Sequence, residues 1–283
     1  MGNVLIKNKE HCQAIRQKMK AAGLAKLHVL ADFDKTLTKA FVNGEEIPSI
    51  ISILRTEGYL TPDYPARAHA LYDKFHPLEI DPHLSAEEKK KAMEEWWRTH
   101  FALLQECGLT RRDVEKAALS QRVQLRDGGL ELLDFLKVNN IPLVLLSSNG
   151  LGEEGIIFFL QRLSRLSSNI HIISNAFIWG EDGRAIGVRE PIVHNFNKTE
   201  FEVKDYPFFK EVKERKNVIL LGDTLGDVDM INGFQYDNLL KIGFLNKKVE
   251  EHLPFFQEIY DVVIINDDGM DYVNDLLKEI AAG

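Results

Sequence analysis

Five short apolar runs in the second half of the chain, "IPLVLLS", "NIHIIS", "NVILLGD", "NLLKIGFL" and "DVVIIND", limit its folding most. A run that stays apolar at successive positions suits a strand covered on both faces, not one with a wet side. Stretches of helical character separate the runs: "EEGIIFFLQRLSR", "KDYPFFKEVKER", "VDMINGF" and "VEEHLPFFQEIY", with "DYVNDLLKEIAA" last. Strand and helix in alternation imply a parallel sheet with helices on both faces, because a parallel connection needs a crossover long enough to hold a helix. "LHVLADF" (27–33) adds an earlier strand of the same kind behind a first helix, "KEHCQAIRQKMKAAG". One interruption, "AFIWGEDGRAIGVRE", reads as a hairpin turning at Glu181-Asp182-Gly183.

Residues 40–126 carry almost no strand signal. "LSAEEKKKAMEEWWRTHFALLQECG" opens with a capping box, Ser85 to Glu88, and stops at Gly108; "TRRDVEKAALS" begins with a threonine cap. Its "EEKKK" run reads as a solvated helix face supported by Glu87 and Lys91. The expected organisation is a discontinuous α/β core, 1–39 and 127–283, with a helical module, 40–126, inserted after the first strand.

The 283 residues are enough for one large core plus such an insert. A net charge of -8 repels a polyanion, so a nucleic-acid polymer is not an expected partner, whereas a small anion is admissible where the site carries its own positive charge. Cys12 and Cys107 form no CxxC pair, which argues for a reducing compartment and against a thiolate zinc site. No apolar run approaches the ~18 residues of a membrane span. "MGNVLIKNKE" lacks the apolar region of a signal peptide, and Ile6 stands where a myristoylation signal needs Ser or Thr. A cytoplasmic protein is expected; no motif fixes its oligomeric state, and a monomer is favoured.

The first strand runs into "DFDKTLT", placing Asp32 and Asp34 at its C-terminal end, the edge where open parallel sheets bind ligands. In isolation an Asp-x-Asp is equally a solvated turn or a helix cap. It is not isolated: "NVILLGDTLGD" delivers Asp223 and Asp227 to another strand end. Carboxylates converging on one sheet edge repel each other unless a cation sits among them, and all-oxygen ligation favours Mg²⁺ over zinc or copper. The acidic spacing does not match an EF-hand, and no HExxH, P-loop or GxSxG occurs.

"VLLSSNGLGEEG" contains Gly150-x-Gly152-x-x-Gly155 between a strand and a helix, the context of a dinucleotide-binding turn. Such a turn wants an acid about 20 residues on, and "HIISNAF" has none. Glu153 and Glu154 would also repel a pyrophosphate. The two serines before the glycines outweigh the glycines.

"DFDKTLT", a strand ending in Ser-Ser, a lysine in "HNFNK" and "GDTLGD" together resemble the four-motif signature of the haloacid dehalogenase (HAD) superfamily of phosphatases. The resemblance implies an α/β, HAD-like Rossmannoid parallel sheet with helices on both faces and an inserted helical cap. It implies Asp32 as the nucleophile that becomes an aspartyl-phosphate and Asp34 as general acid and base. Ser147 then binds the phosphoryl group, Lys198 neutralises charge, and Mg²⁺ is held by Asp32, Asp34 and Asp223 with Asp227 in support. The physics suits these roles. A carboxylate attacks a phosphate dianion only where cations screen the repulsion, and a second carboxyl must protonate the leaving alkoxide.

"HPLEIDPHLSAEEKKKAMEEWW", "IPLVLLSSNGLGE", "HNFNK" and "ILLGDTLGD" are further similar to the pyrimidine 5'-nucleotidases (the cytosolic 5'-nucleotidase III family), over residues 9 to 235. That resemblance implies a nucleotide substrate, a nucleoside 5'-monophosphate of pyrimidine or 7-methylguanosine type, with Glu79 holding the nucleobase and Ser148 touching substrate. Two departures stand out. His100 occupies the place of a cap serine, which leaves base preference open, and motif two reads Ser147-Ser148-Asn149-Gly150 in place of Ser-Ala-Gly. Trp96 and Trp97 suit base stacking, though their helical spacing assigns at least one to packing. Other readings are a HAD phosphatase for phosphoserine or a sugar phosphate, and a non-catalytic HAD-fold binding protein. The intact Asp32, Asp34, Lys198 and Asp223 argue against the last.

Overall fold

The structure, a computed structural model, describes residues 2–47, 49–81, 83–198, 206–232 and 235–283. Its strands are β1 (Val4–Ile6), β2 (Leu27–Ala31), β3 (Phe41–Val42), β4 (Glu45–Glu46), β5 (Leu143–Leu146), β6 (Ile170–Ile173), β7 (Phe177–Trp179), β8 (Ala185–Val188), β9 (Asn217–Gly222), β10 (Asn238–Leu245) and β11 (Val262–Ile265). Its α-helices are α1 (Lys9–Ala22), α2 (Ile50–Glu57), α3 (Tyr64–Ile80), α4 (Ala86–Glu106), α5 (Arg111–Ala118), α6 (Gly129–Val138), α7 (Gly152–Arg162), α8 (Phe209–Val212), α9 (Val249–Ile259) and α10 (Asp271–Ala281).

Seven strands form the main sheet in the order β1-β11-β10-β9-β2-β5-β6, parallel throughout except for β1 at its edge. Burial explains the unbroken apolar runs. Along β9, Ile219 and Leu221 belong to one apolar cluster, and Val218 and Leu220 to a second. Each face therefore has its own cover, and neither set of side chains meets water. From β2 the chain runs outward one way to β5 and β6, then returns past β2 to build β9, β10 and β11 on the other side. The direction reverses between β2 and β9, and the crevice at their carboxyl ends is where such sheets bind ligands.

The segment from 40 to 126 leaves and returns side by side. Thr38 bridges to Leu125, Lys39 N–H donates to Gln124 O at 2.9 Å, and Arg126 N–H donates to Leu37 O at 2.8 Å. The anticipated capping box of Ser85 with Glu88 is present, and the threonine cap at Thr110 proves to be a second box, closed by Asp113. The segment shares the apolar cluster of the sheet's helical cover: Ile50, Phe101 and Val114 lie in it beside Val29 and Leu145. Phe101 meets Phe177 of the β7–β8 hairpin edge to face at 5.6 Å.

Several elements differ from the sequence expectation. β3 and β4 make a small hairpin inside the segment read as free of strands. Its turn, Asn43-Gly44, has positive φ at both residues (53° and 81°), the geometry Asn-Gly favours, but two-residue strands carry no periodicity to detect. β1 is likewise too short to read. The helix expected over 204–215 appears as α8 alone, with Lys204 and Asp205 outside the described residues. That expected over 228–234 is a 3-10 turn, Leu225–Ile231, with Gly233 and Phe234 outside them.

Arg126 locks the stem of the insert to the strand ends. It is 1% exposed. Its Nε donates to Thr36 O at 2.8 Å, Nη1 to Asp268 O at 2.7 Å, and Nη2 to Asn246 Oδ1 at 2.9 Å and to Lys35 O. Asp267 lies 3.0 Å from Nη1, and its carboxylate also accepts the N–H groups of Ala40 and Phe41. One guanidinium thus ties the loop after β2 to the loop after β11. Removing it orphans buried carbonyls and leaves Asp267 without its cation. Arg126→Met is expected to lower the unfolding free energy by about 3–5 kcal/mol, read from urea unfolding at neutral pH. A loss under about 1 kcal/mol, the worth of an exposed ion pair, would show that water replaces these bonds.

Candidate active site

Asp32 follows β2, and its N–H donates to Leu221 O at 3.0 Å, so β2 and β9 stay joined up to the acid itself. Asp223 follows β9. Asp227 sits in the 3-10 turn beyond it and folds back: its Oδ2 accepts the N–H groups of Asp223 (3.0 Å) and Thr224 (2.9 Å). Glycine is required at 222 for this approach, since a Cβ there would lie 2.5 Å from Asp227 Cβ. Asp32, Asp223 and Asp227 thereby offer oxygens that all lie within 4.8 Å of one another.

Lys198 enters this group from the loop after β8. Its Nζ is 2.6 Å from Asp32 Oδ1 and 3.1 Å from Asp227 Oδ1, with the side chain only 4% exposed. Burial alone would drive the ammonium toward neutrality, but Asp227 and Asp32 outweigh it and raise the lysine pKa. Burial pushes Asp32 up to about 7 against the pull of Lys198, with Asp227 and Asp34 adding to the rise. Asp223 is raised by burial, then by the charges of Asp227 and Asp32. Three carboxylates against one ammonium leave an excess of negative charge, with oxygen donors only. That donor set fits a hard divalent cation.

Asp34 stands apart from the three. Its Oδ2 accepts from Asn149 Nδ2 at 2.8 Å, so its carboxylate is turned to the motif-two loop and not into the acidic group. Asn149 Oδ1 accepts Leu151 N–H at 2.8 Å, which fixes the amide with its NH₂ toward Asp34. Burial raises the Asp34 pKa, and the Asn149 bond opposes it.

Asp32, Asp34, Asp223, Lys198 and Asn149 line a cavity of about 220 Å³ with Ser147, Ser148, Asn195 and Trp97, and Asp227 lies outside its lining. Ser147 is held at the end of β5 by its N–H, which donates to Ile173 O at 3.0 Å. Glu79 does not line the cavity. It ends α3, with Oε1 accepting from Asn195 Nδ2 at 2.6 Å and Oε2 3.2 Å from His76 Nδ1. His100 is buried against Tyr64, whose hydroxyl lies 3.2 Å from its Nε2, and does not reach the cavity either. Of the two tryptophans, Trp97 lines the cavity, and Trp96 stacks on Phe75 at 5.9 Å.

The structure also explains the glycine-rich turn. Gly152 has φ +67°, and a Cβ there would fall 2.3 Å from Asn175 O. The glycine lets α7 start against the neighbouring loop. Asn149 and Asn195 are the site residues that sequence reasoning missed. Asn149 was visible only as a departure from the motif-two pattern, and Asn195 carried no local signal.

Comparison with known proteins agrees with this geometry. A family model described as pyrimidine 5'-nucleotidase (UMPH-1) matches residues 35–281. The 7-methylguanosine phosphate-specific 5'-nucleotidase of Mus musculus is 34% identical over 280 residues, covering 98% of this chain and 92% of that one. The Xenopus laevis enzyme of the same name, form A, is 33% identical over 282 residues, covering 99% and 96%. Among solved structures, cytosolic 5'-nucleotidase IIIB bound to cytidine superposes with a TM-score of 0.91 at 27% identity, covering 100% of this chain and 95% of that one. A substrate-bound phosphoserine phosphatase superposes with a TM-score of 0.53 at 20% identity, covering 89% and 96%, a likeness of fold alone.

Two buried histidines next to the site give the chain an acid-sensitive element. Burial holds His100 at a pKa of about 4, with Arg55 adding to the effect, and burial holds His194 at about 4 as well. Both are depressed, so below pH ~6.5 the unfolded chain takes up protons that the folded chain refuses. Stability is expected to fall as pH drops from about 6.5 to 4, by up to about 3 kcal/mol for His100. Urea unfolding at a series of pH values should show that slope flattened in His100→Gln. An unchanged slope would assign the acid sensitivity elsewhere.

Proposed function

The chain belongs to the pyrimidine 5'-nucleotidase (UMPH-1) family, and on that premise we propose that it hydrolyses nucleoside 5'-monophosphates, of pyrimidine or 7-methylguanosine type, through an aspartyl-phosphate on Asp32. The observation that carries this reading is the buried Lys198 bridging Asp32 and Asp227 beside Ser147 and Asp34. Segment 40–126 serves as the cap over the site, and the reaction belongs to the cytoplasm, in keeping with the name of the cytosolic structural relative.

Asp32 attacks phosphorus, and Lys198, 2.6 Å from its carboxylate, favours the ionised form against the pull of burial. The Ser147 hydroxyl donates to a phosphoryl oxygen, joined by N–H groups of the motif loops. Asp34, held by Asn149, protonates the leaving 5'-oxygen and then takes the proton of the water that opens the acyl phosphate. A carboxyl raised by burial is suited to both steps. Asp32, Asp223 and Asp227, whose oxygens gather, would hold Mg²⁺, and Asp34, expected from the sequence as a further ligand, is left by its Asn149 bond to acid–base work. Bound there, Mg²⁺ supplies charge neutralisation between the nucleophile and the phosphate dianion.

Asp32→Asn should abolish turnover, by at least about a thousandfold, in protein shown by circular dichroism to be folded. Asp34→Asn should instead let p-nitrophenyl phosphate, whose leaving group needs little protonation, accumulate a trapped phosphoenzyme. Nucleotide turnover by a folded Asp32→Asn protein would overturn the covalent route.

Chelation with EDTA is expected to remove activity, and added Mg²⁺ to restore it, with Asp223→Asn moving the half-saturating Mg²⁺ concentration upward. Hydrolysis that survives thorough chelation would eliminate the metal from the reaction.

A further inference from the structure

A hydrogen-bonded chain crosses from the sheet end to the cap. Ser148 Oγ donates to Asn195 Oδ1 at 2.8 Å, Asn195 Nδ2 donates to Glu79 Oε1 at 2.6 Å, and Glu79 Oε2 lies 3.2 Å from His76 Nδ1. Three separate segments meet here: the loop after β5, the loop before Lys198, and the last turn of α3. The carboxylate can only accept, so the Asn195 amide has one orientation, NH₂ toward Glu79 and oxygen toward Ser148. Its loop is stiffened by its own side chains. Asn197 Oδ1 accepts His194 N–H at 2.7 Å, Asn197 Nδ2 donates to Ile192 O at 2.8 Å, and Phe196 N–H lies 3.2 Å from His194 Nδ1. Asn195 and Ser148 line the cavity next to Ser147 and Lys198, and Glu79 lies behind Asn195.

We propose that Asn195 is a positioning residue for specificity, bridging Ser148 at the phosphoryl end of the cavity to Glu79 in the cap. The bridge sets the distance and direction between the phosphoryl-binding groups and the cap carboxylate. A nucleoside monophosphate is thereby measured at both ends at once, whereas a small phosphate ester engages one end only. The inference rests on the nucleotidase reading: Glu79 itself does not line the cavity and acts on it through Asn195. Its chemistry is specific to this donor and acceptor order. An acid at 195 would still accept from Ser148 but would face Glu79 with a like charge.

Asn195→Asp is the sharp test. The ratio of kcat/KM on CMP or 7-methyl-GMP to kcat/KM on p-nitrophenyl phosphate is expected to fall about tenfold or more, the worth of one charge-assisted hydrogen bond, mainly through KM. Hydrogen exchange in the last turn of α3 should quicken. Adding Glu79→Gln reverses the polarity of the pair, because the new amide at 79 can donate to the new carboxylate at 195, and slow exchange should return. Asn195→Ser, which removes the bridge without adding charge, replaces the acidic variant if that one does not fold. Equal losses on both substrate types would overturn the proposal, since Asn195 would then be acting through its neighbour Lys198. Unchanged ratio and unchanged exchange would overturn it as well. Nucleotide hydrolysis untouched by Glu79→Ala would overturn it too, because the bridge would then hold nothing the substrate needs, whereas an unaltered enzyme that cleaves p-nitrophenyl phosphate and no nucleotide would sink the nucleotidase reading instead.

Discussion

Lys198 is the group on which the arrangement of the site depends. Its buried ammonium lies between Asp32 and Asp227, acids that follow two neighbouring strands, and among the described residues it is the cation in contact with both. Buried ion pairs of this kind recover their desolvation cost poorly, and breaking one leaves an uncompensated charge. The surrounding structure is built to hold the acids despite that cost. β2 and β9 pair up to Asp32, Gly222 admits Asp227, and Asp227 spends one oxygen on two backbone N–H groups. What remains is a cavity whose lining sets Asp32, Asp34 and Asp223 beside Lys35, Lys198 and Ser147. It is stable as a scaffold and electrostatically suited to a cation and a phosphate brought together.

The same economy governs the connection between core and insert. The segment from 40 to 126 leaves and returns at the point where Asp32 to Thr38 turn away from the sheet, so the loop that follows the first acid is also its stem. Arg126 satisfies the carbonyls of that loop from one buried guanidinium, and Asp267 closes the arrangement from the far side of the sheet. Packing joins the two parts further out. Phe101 of α4 meets Phe177 of the hairpin, and the insert contributes to the apolar cluster that covers the sheet. A segment seated in this way presents Glu79 at the end of α3, and the Asn195 amide meets it there.

The strands of the sheet were legible because each is covered on both faces, and double cover leaves an uninterrupted apolar run that needs no partner to recognise. Helix ends were legible where capping is local, as at Ser85 and Thr110. The missed elements are those whose stability comes from elsewhere. β1 exists because β11 offers an edge, and the β3–β4 hairpin because Asp267 accepts its first N–H groups. Asp32, Asp34, Asp223 and Asp227 stood out as acids behind apolar strands, whereas Ser147 and Lys198 were picked out by the resemblance to the HAD motifs.

Identity of the acids, the serine and the lysine, and the alternation that sends them to one sheet edge, belong to the sequence by itself, because both are short-range patterns. Tertiary structure alone decided which acids gather and which one stands aside. Asp34 and Asp227 look alike in sequence, yet Asn149 draws the first away and Lys198 draws the second in. It also decided that Glu79 meets Asn195, 116 positions away along the chain. Such pairings follow from strand order and loop packing, whose energies are summed over the whole core, and no local pattern of residues records them.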